Sequence, residues 1–447
     1  MFGVGCEVDE TTPEVPSDSP KSPDGSEGVP QPDKLEGNPE QKSPAWTFLD
    51  NGGVNIPSIG LIAAFPHAVV FKSNIYAAWH ERGANSIWHI NLAVFSPKTN
   101  SWKVLGTANG LNKDPNVHAT FARLVVFNSK LYITWSEYNG PNQIRVAVYN
   151  GDDDAPDIAF LDGPVGLNRN PSNHAHNPQM TVFGSRLFLT WVEQGSTTSA
   201  HQLRVRVYNG NDEVPSWSFA DGNLATGLNF DVSRGANTPQ FGVFNSKLYL
   251  TWTENMTGHS NNVGVIRVKV YNGNDSSPNW SSVAGGGLGT LSFSASQESR
   301  DPDLVIFNNK LYAGWTEQTG VGAVVHIKVY NGNDSSPLWT SVDGESGLSV
   351  KPSATSRSVR FSVYNSKILV AWTEWEFAQT PLWVKSYNGD DSKPAWDFLG
   401  RKEVMLNCET GISADYSHLL TLDNTLYAIS SQQCPRDSAI RLQSYGQ

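Results

Sequence analysis

The chain has 447 residues and a net charge of −11, with 17% charged residues, 11% aromatic residues including 15 Trp, 39 Gly and 26 Pro. Few charges (an average globular protein has about 25%), many aromatics and many turn residues exclude long helices and coiled coils and favour short strands joined by tight turns. No apolar run nears the ~20 residues of a membrane helix, and the acidic balance offers no basic face for a nucleic acid.

In chain order, residues 1–43 come first. They carry ten Asp/Glu, three Lys and seven Pro, a net of −7 that leaves −4 for the remaining 404 residues. With so little apolar surface to offset chain entropy, the segment is expected to be a disordered acidic tail, solvated rather than folded. Its start, MFGVGCEVDE, has neither a basic nor an apolar stretch of the secretory kind. The expected location is extracellular all the same, with the cytoplasm as the alternative.

Residues 44–447 are filled by a repeat of 56 to 63 residues, with copies starting near 46, 102, 158, 217, 280, 339 and 396. One copy runs from Trp217 through Phe-Asn-Ser-Lys-Leu-Tyr-Leu-Thr-Trp-Thr-Glu, ending at Glu254, to Tyr271-Asn272-Gly273. Each copy holds four runs of β-favouring residues. Ile266, Val268 and Val270 alternate with Arg267, Lys269 and Tyr271, and Asn-Ser and Asn-Gly pairs sit where tight antiparallel turns want them. Four antiparallel strands in seven copies predict an all-β fold, a seven-bladed β-propeller. The last copy ends on its third strand, so the isolated strand Ala45 to Asp50 is expected to supply its fourth and close the ring.

The pattern resembles tandem-repeat β-propeller proteins, including the propeller lectins, the kelch-like superfamily and repeats of secreted propeller-like proteins. The kelch double Gly, the Trp-Asp blade ending and the sialidase-type Asp box are absent. The resemblance covers about nine tenths of the chain and implies architecture without naming a ligand.

The Trp-x-Glu motif recurs in six copies, with Glu81, Glu137, Glu193, Glu254, Glu317 and Glu374. These carboxylates are read as structural, paired within each blade, with Arg145, Arg204 and Arg267 as partners of three of them; the alternative is a ring that binds a cation or sugar hydroxyls. The repeating Trp residues are read as core. Trp88, Trp375 and Trp383 break the repeat and, with Phe377, are the candidates for stacking on a ligand. The Asn-Gly-Asn-Asp loops at Asn272–Asp275 and Asn331–Asp334, with Asp152–Asp154, Asp212 and Asp390–Asp391, are read as turns, with calcium the alternative. His174, His176 and His201 lie on two loops of one face but complete no metal spacing, so no cofactor is expected. Cys408 and Cys434 fall on loops of one face and are a candidate disulfide, which would imply an oxidising compartment. Asn255, Asn274, Asn279 and Asn333 are glycosylation sequons.

The function expected on these grounds is a monomeric, non-catalytic binding or scaffold propeller that takes a glycan or protein ligand on one face. A carbohydrate-active enzyme is the alternative, judged by its need for one asymmetric carboxylate pair; a structural matrix protein is a third.

Overall fold

A computed structural model of the chain describes residues 45–50, 54, 62–106, 109–195, 200–255, 263–285, 289–344, 346–375, 380–400, 414–434 and 437–446. The expected tail lies outside them, as do Phe377, Cys408 and the Cys434 side chain. The described residues form 28 strands and no helix.

The strands are punctuated by the predicted turns. Lys72-Ser73, Asn128-Ser129, Asn245-Ser246, Asn308-Asn309, Asn365-Ser366 and Asp423-Asn424 all have both residues at positive φ. That is the two-residue hairpin whose twist matches its flanking strands, and Asn tolerates it best. Blade one consists of Ala63–Phe71, Asn74–Arg82, Trp88–Ser96 and Ser101–Leu105, paired in that order. Six further units repeat it. A single parallel bridge, Ala323 to Thr355, joins two of them into one larger sheet. The innermost strands, beginning at Ala63, Ala119, Ala175, Ala236, Ser299, Thr355 and Ala414, touch one another in a closed cycle. The all-β propeller follows directly.

The ring closes as the phase of the repeat predicts. Ala45–Phe48 pairs antiparallel with Asp437–Gly446, from Ala45 opposite Gly446 to Phe48 opposite Gln443. The apolar clusters lie between successive blades, as where Trp135 packs with Ile90 and Leu92 of blade one. Trp79, Trp135, Trp191, Trp252, Trp315 and Trp372 are fully buried. At ~150–250 Å² apiece and about 25 cal/mol per Å², each contributes roughly 4–6 kcal/mol.

One irregularity positions the site. Every innermost strand breaks register near its start, between Ala64 and His67 in blade one and between Thr120 and Arg123 in blade two, with the equivalent shift in all the others. Each bulge holds a non-glycine residue at positive φ: Phe65, Phe121, Asn177, Thr238, Asp301, Ser358 and Tyr416. Bulges re-aim side chains and cluster beside active sites, and bulky residues in this conformation store strain of order 1–3 kcal/mol each.

Candidate functional site in the central channel

The residue that ends each bulge points into the channel. Blades one to seven place His67, Arg123, Gln179, Gln240, Asp303, Arg360 and His418 around a cavity of about 150 Å³, with Phe65 and Tyr416 at the same cavity. The scaffold repeats; this ring does not. Its titratable groups come from blades five, six, seven, one and two, and its amides from blades three and four.

Hydrogen bonds lace the ring from blade to blade. His67 Nδ1 accepts the Leu124 N–H at 3.2 Å, His418 Nδ1 the Ala68 N–H at 3.4 Å, and Asp303 Oδ2 the Phe361 N–H at 2.9 Å. His80, on the second strand of blade one, accepts the Phe121 N–H at Nδ1, 3.3 Å. A neutral imidazole accepting at Nδ1 carries its proton on Nε2, so each ring offers an Nε2–H. Burial, followed by repulsion from neighbouring cations, lowers all three: His67 well below the ordinary imidazole value, His80 to about 3 and His418 to about 4. For His67 the repelling groups are His418, Arg123 and Arg360, in that order.

Arg123 bonds the Ala122 carbonyl at 2.8 Å and forms no ion pair among the described residues. Burial and the Arg360 charge bring its guanidinium down to about 9. Tyr416 stacks on Phe65, centroids 3.5 Å apart, and its hydroxyl has no hydrogen-bond partner among the described residues. Burial, then the carboxylates of Asp415 and Asp301, keep that phenol protonated. The carboxylates are engaged. Both Asp303 oxygens accept backbone N–H groups, and Asp301 and Asp415 both hold Ser358, at its N–H and its hydroxyl, at 3.2 Å. Guanidiniums that form no ion pair among the described residues, neutral imidazoles and a phenol with no hydrogen bond among those residues suit an anionic ligand whose protons are to be moved.

The residues singled out from sequence lie mostly elsewhere. The Trp-x-Glu carboxylates bond within the fold: Trp252 Nε1–H donates to Glu254 at 3.1 Å, and Glu254 accepts the Phe230 and Asp231 N–H groups of the incoming loop. Glu137, Glu193, Glu317 and Glu374 repeat that arrangement, and Glu81 accepts from Trp79. Arg145 and Arg267 approach Glu137 and Glu254 at 3.5 Å, whereas Arg204 pairs with Asp221. The turn aspartates clamp adjacent blades, as Asp153 does by accepting from Tyr76 and Tyr149. Trp88 reaches the channel group, its ring edge-on to His80 at 5.0 Å. Trp375 is 53% exposed, opposite Thr355 at the start of blade six's innermost strand. Trp383 is buried opposite Trp372 and packs on Phe398, which leaves it no face for a ligand. His176 and His201 meet edge-on at 4.6 Å, and among the described residues no group of three or more His, Cys, Asp or Glu forms a metal site. A larger cavity of about 240 Å³ between blades one and two is mostly apolar, lined by Leu92, Leu105, Leu111, Ile158 and Phe160, with Asp157 and Tyr149 as its titratable groups and no cation.

Recurrence does not mark the channel ring. Its signal is the opposite: aligned copies show one inner-strand column, often after Pro, reading His, Arg, Gln, Gln, Asp, Arg, His.

No protein-family model matches the chain, and no curated protein matches it. Solved structures do. A family PL25 polysaccharide lyase, an ulvan lyase, superposes with a TM-score of 0.57 at 11% identity, covering 88% of this chain and 94% of the other. The same kind of lyase bound to -[GlcA(1-4)Rha3S]- gives 0.56 at 12% identity with the same coverage. The polysaccharide lyase Uly1 gives 0.51 at 10% identity, covering 85% and 89%. Such identities establish a shared propeller fold. They also correct the expectation of a non-catalytic propeller. These neighbours are enzymes, and the channel carries an asymmetric ring of polar groups, though not the carboxylate pair against which the enzyme alternative is judged.

Proposed function

We propose that the protein is a carbohydrate-active enzyme that cleaves an acidic, uronate-containing polysaccharide by β-elimination at the channel. The observation that carries this reading is Arg123, a channel guanidinium with no carboxylate partner among the described residues, whose charge acts on His67, His80 and His418. The likeness to lyases that take acidic polysaccharides supports it.

Elimination beside a carboxylate needs a cation to neutralise that carboxylate, a proton acceptor and a proton donor. Arg123, with Arg360, holds the uronate and stabilises charge developing on it. The C5–H bond breaks, its electron pair becomes the C4–C5 double bond, and the C4–O bond breaks with its pair leaving on oxygen. Tyr416 donates a proton to that oxygen. An imidazole accepts the C5 proton, and we assign it to His418. Its resting tautomer must first shift, and its 3.4 Å backbone contact is weaker than the 3.2 Å contact of His67. Hydrolysis is disfavoured because Asp301, Asp303 and Asp415 are all tied to protein donors. An extracellular location belongs to the same proposal, as polymeric substrate is met there.

The test is incubation with a panel of uronate polysaccharides, following ultraviolet absorbance of the unsaturated product alongside reducing ends. The reading expects both to rise together. New reducing ends without unsaturation would show a hydrolase, and a folded protein inert on every acidic polymer would overturn the proposal.

A further inference from the structure

Beside the start of its innermost strand, blade six exposes an aromatic face and a cation side by side. Trp375 follows Glu374 at the end of its strand, where the other blades carry Arg82, Tyr138, Gln194, Asn255, Gln318 and Gln433. It is the only Trp among the exposed large apolar side chains of the described residues, at 53%. The Arg357 guanidinium lies 5.9 Å from its ring centroid. Arg357 is exposed and forms no ion pair among the described residues. The equivalent Arg300 of blade five instead pairs with Glu298. Arg357 also sits one residue before the bulge residue Ser358 and acts on both Asp415 and Tyr416. Arg357 is therefore within electrostatic reach of the phenol assigned as proton donor.

We infer that Trp375 and Arg357 form an accessory subsite for an anionic sugar residue, its ring stacked on the indole and its carboxylate or sulfate held by the guanidinium. The inference deepens the proposed function and rests on it for the direction in which the polymer runs. A flat apolar face suits the C–H face of a pyranose, and a planar guanidinium suits a two-oxygen anion. An indole left half in water beside a cation that forms no ion pair among the described residues contributes little to the folded chain by itself.

The experiment is calorimetric titration of the full chain and of Trp375→Ala, Trp375→Phe and Arg357→Ala with three oligosaccharides of equal length: a polyuronate, a sulfated neutral glycan and an uncharged glycan. Trp375→Ala is expected to weaken charged ligands about fivefold, with Trp375→Phe restoring most of the loss. Arg357→Ala is expected to weaken them about tenfold and to leave the uncharged one unchanged. Whether the uronate or the sulfated ligand loses more identifies the anion. Binding equal to wild type in both alanine variants overturns the subsite, even if the wild type produces unsaturated sugars. Binding lost in both variants by a protein that eliminates nothing keeps the subsite and overturns the lyase reading. Melting temperatures matching the wild type confirm intact folds.

Discussion

His67 and His418 stack across the blade one–blade seven seam with ring centroids 4.5 Å apart and planes 23° from parallel. Each ring is anchored through Nδ1 to a backbone N–H of the next blade, His67 to Leu124 and His418 to Ala68. Two imidazoles this close, near Arg123 and Arg360, cannot both charge cheaply, so the pair stays neutral well below the usual imidazole range.

That neutrality makes the ring acid-sensitive. Below an ordinary value of 6.5 the unfolded chain binds protons that folded His67 and His418 refuse until about pH 4 for His418. Stability is then lost as pH falls through that window, by up to about 1.4 kcal/mol per pH unit for each ring. The raised carboxyls of Asp303 and Asp415 work in the opposite sense. Comparison with a His67→Gln/His418→Gln variant cancels them. Melting temperature should fall more steeply in the wild type between pH 6.5 and about 4, and parallel curves would show that the pair does not titrate as argued.

Arg123→Ala separates function from folding. Removing the uronate-neutralising cation should lower kcat/KM by at least about a hundredfold. Stability should hold or rise, because the guanidinium has no ion-pair partner among the described residues and its charge is opposed by burial and by Arg360. Steady-state rates on polyuronate and a thermal melt report the two effects. A variant that keeps its rate removes Arg123 from the mechanism.

Tyr416→Phe keeps the stack on Phe65 and deletes only the hydroxyl. As a proton donor, that hydroxyl should contribute about 10²–10⁴-fold to kcat, with little change in KM. A rise in KM at constant kcat would instead make it a binding group.

The architecture was legible because it recurs. Six buried Trp residues, the paired positive-φ turns and the phase of the last copy each appear several times, so the periodic pattern reports them. The site was not legible for the same reason. His67, Arg123 and Asp303 occupy one column of the repeat, but neither hydrophobic periodicity nor a local motif marks them. A register shift that no residue type announces turns them inward. An asymmetric carboxylate pair is what hydrolysis needs, whereas elimination asks for a cation, a donor and an acceptor. The repeated Glu residues attracted attention because buried carboxylates need partners, and the partners were an indole and two loop N–H groups rather than a ligand.

Glu254→Ala tests that account. It would leave Trp252 Nε1–H and the Phe230 and Asp231 N–H groups without their acceptor, at about 1–3 kcal/mol for each group left buried and unpaired. A melt should show a large destabilisation, and added calcium should not change the melting temperature of the wild type. A stable variant, or a calcium-dependent melt, would return these carboxylates to the ligand-binding reading.

Ring closure concentrates on Asp50, just beyond the closing strand. Its carboxylate accepts Arg441 Nε at 3.0 Å and the Leu442 N–H at 2.6 Å, and the pair is buried. Asp50→Ala would leave the Arg441 guanidinium buried without its carboxylate, a loss of about 3–5 kcal/mol. Deleting residues 44–52 removes that carboxylate together with the ladder from Ala45 to Phe48, and uncovers the edge of Asp437–Gly446. A free edge pairs with other chains, so the deletion variant should melt earlier and aggregate in light scattering, whereas Asp50→Ala should melt earlier but stay monodisperse with its edge strand in place. A deletion variant that matches the wild type in both measurements would mean that this strand does not hold the ring shut.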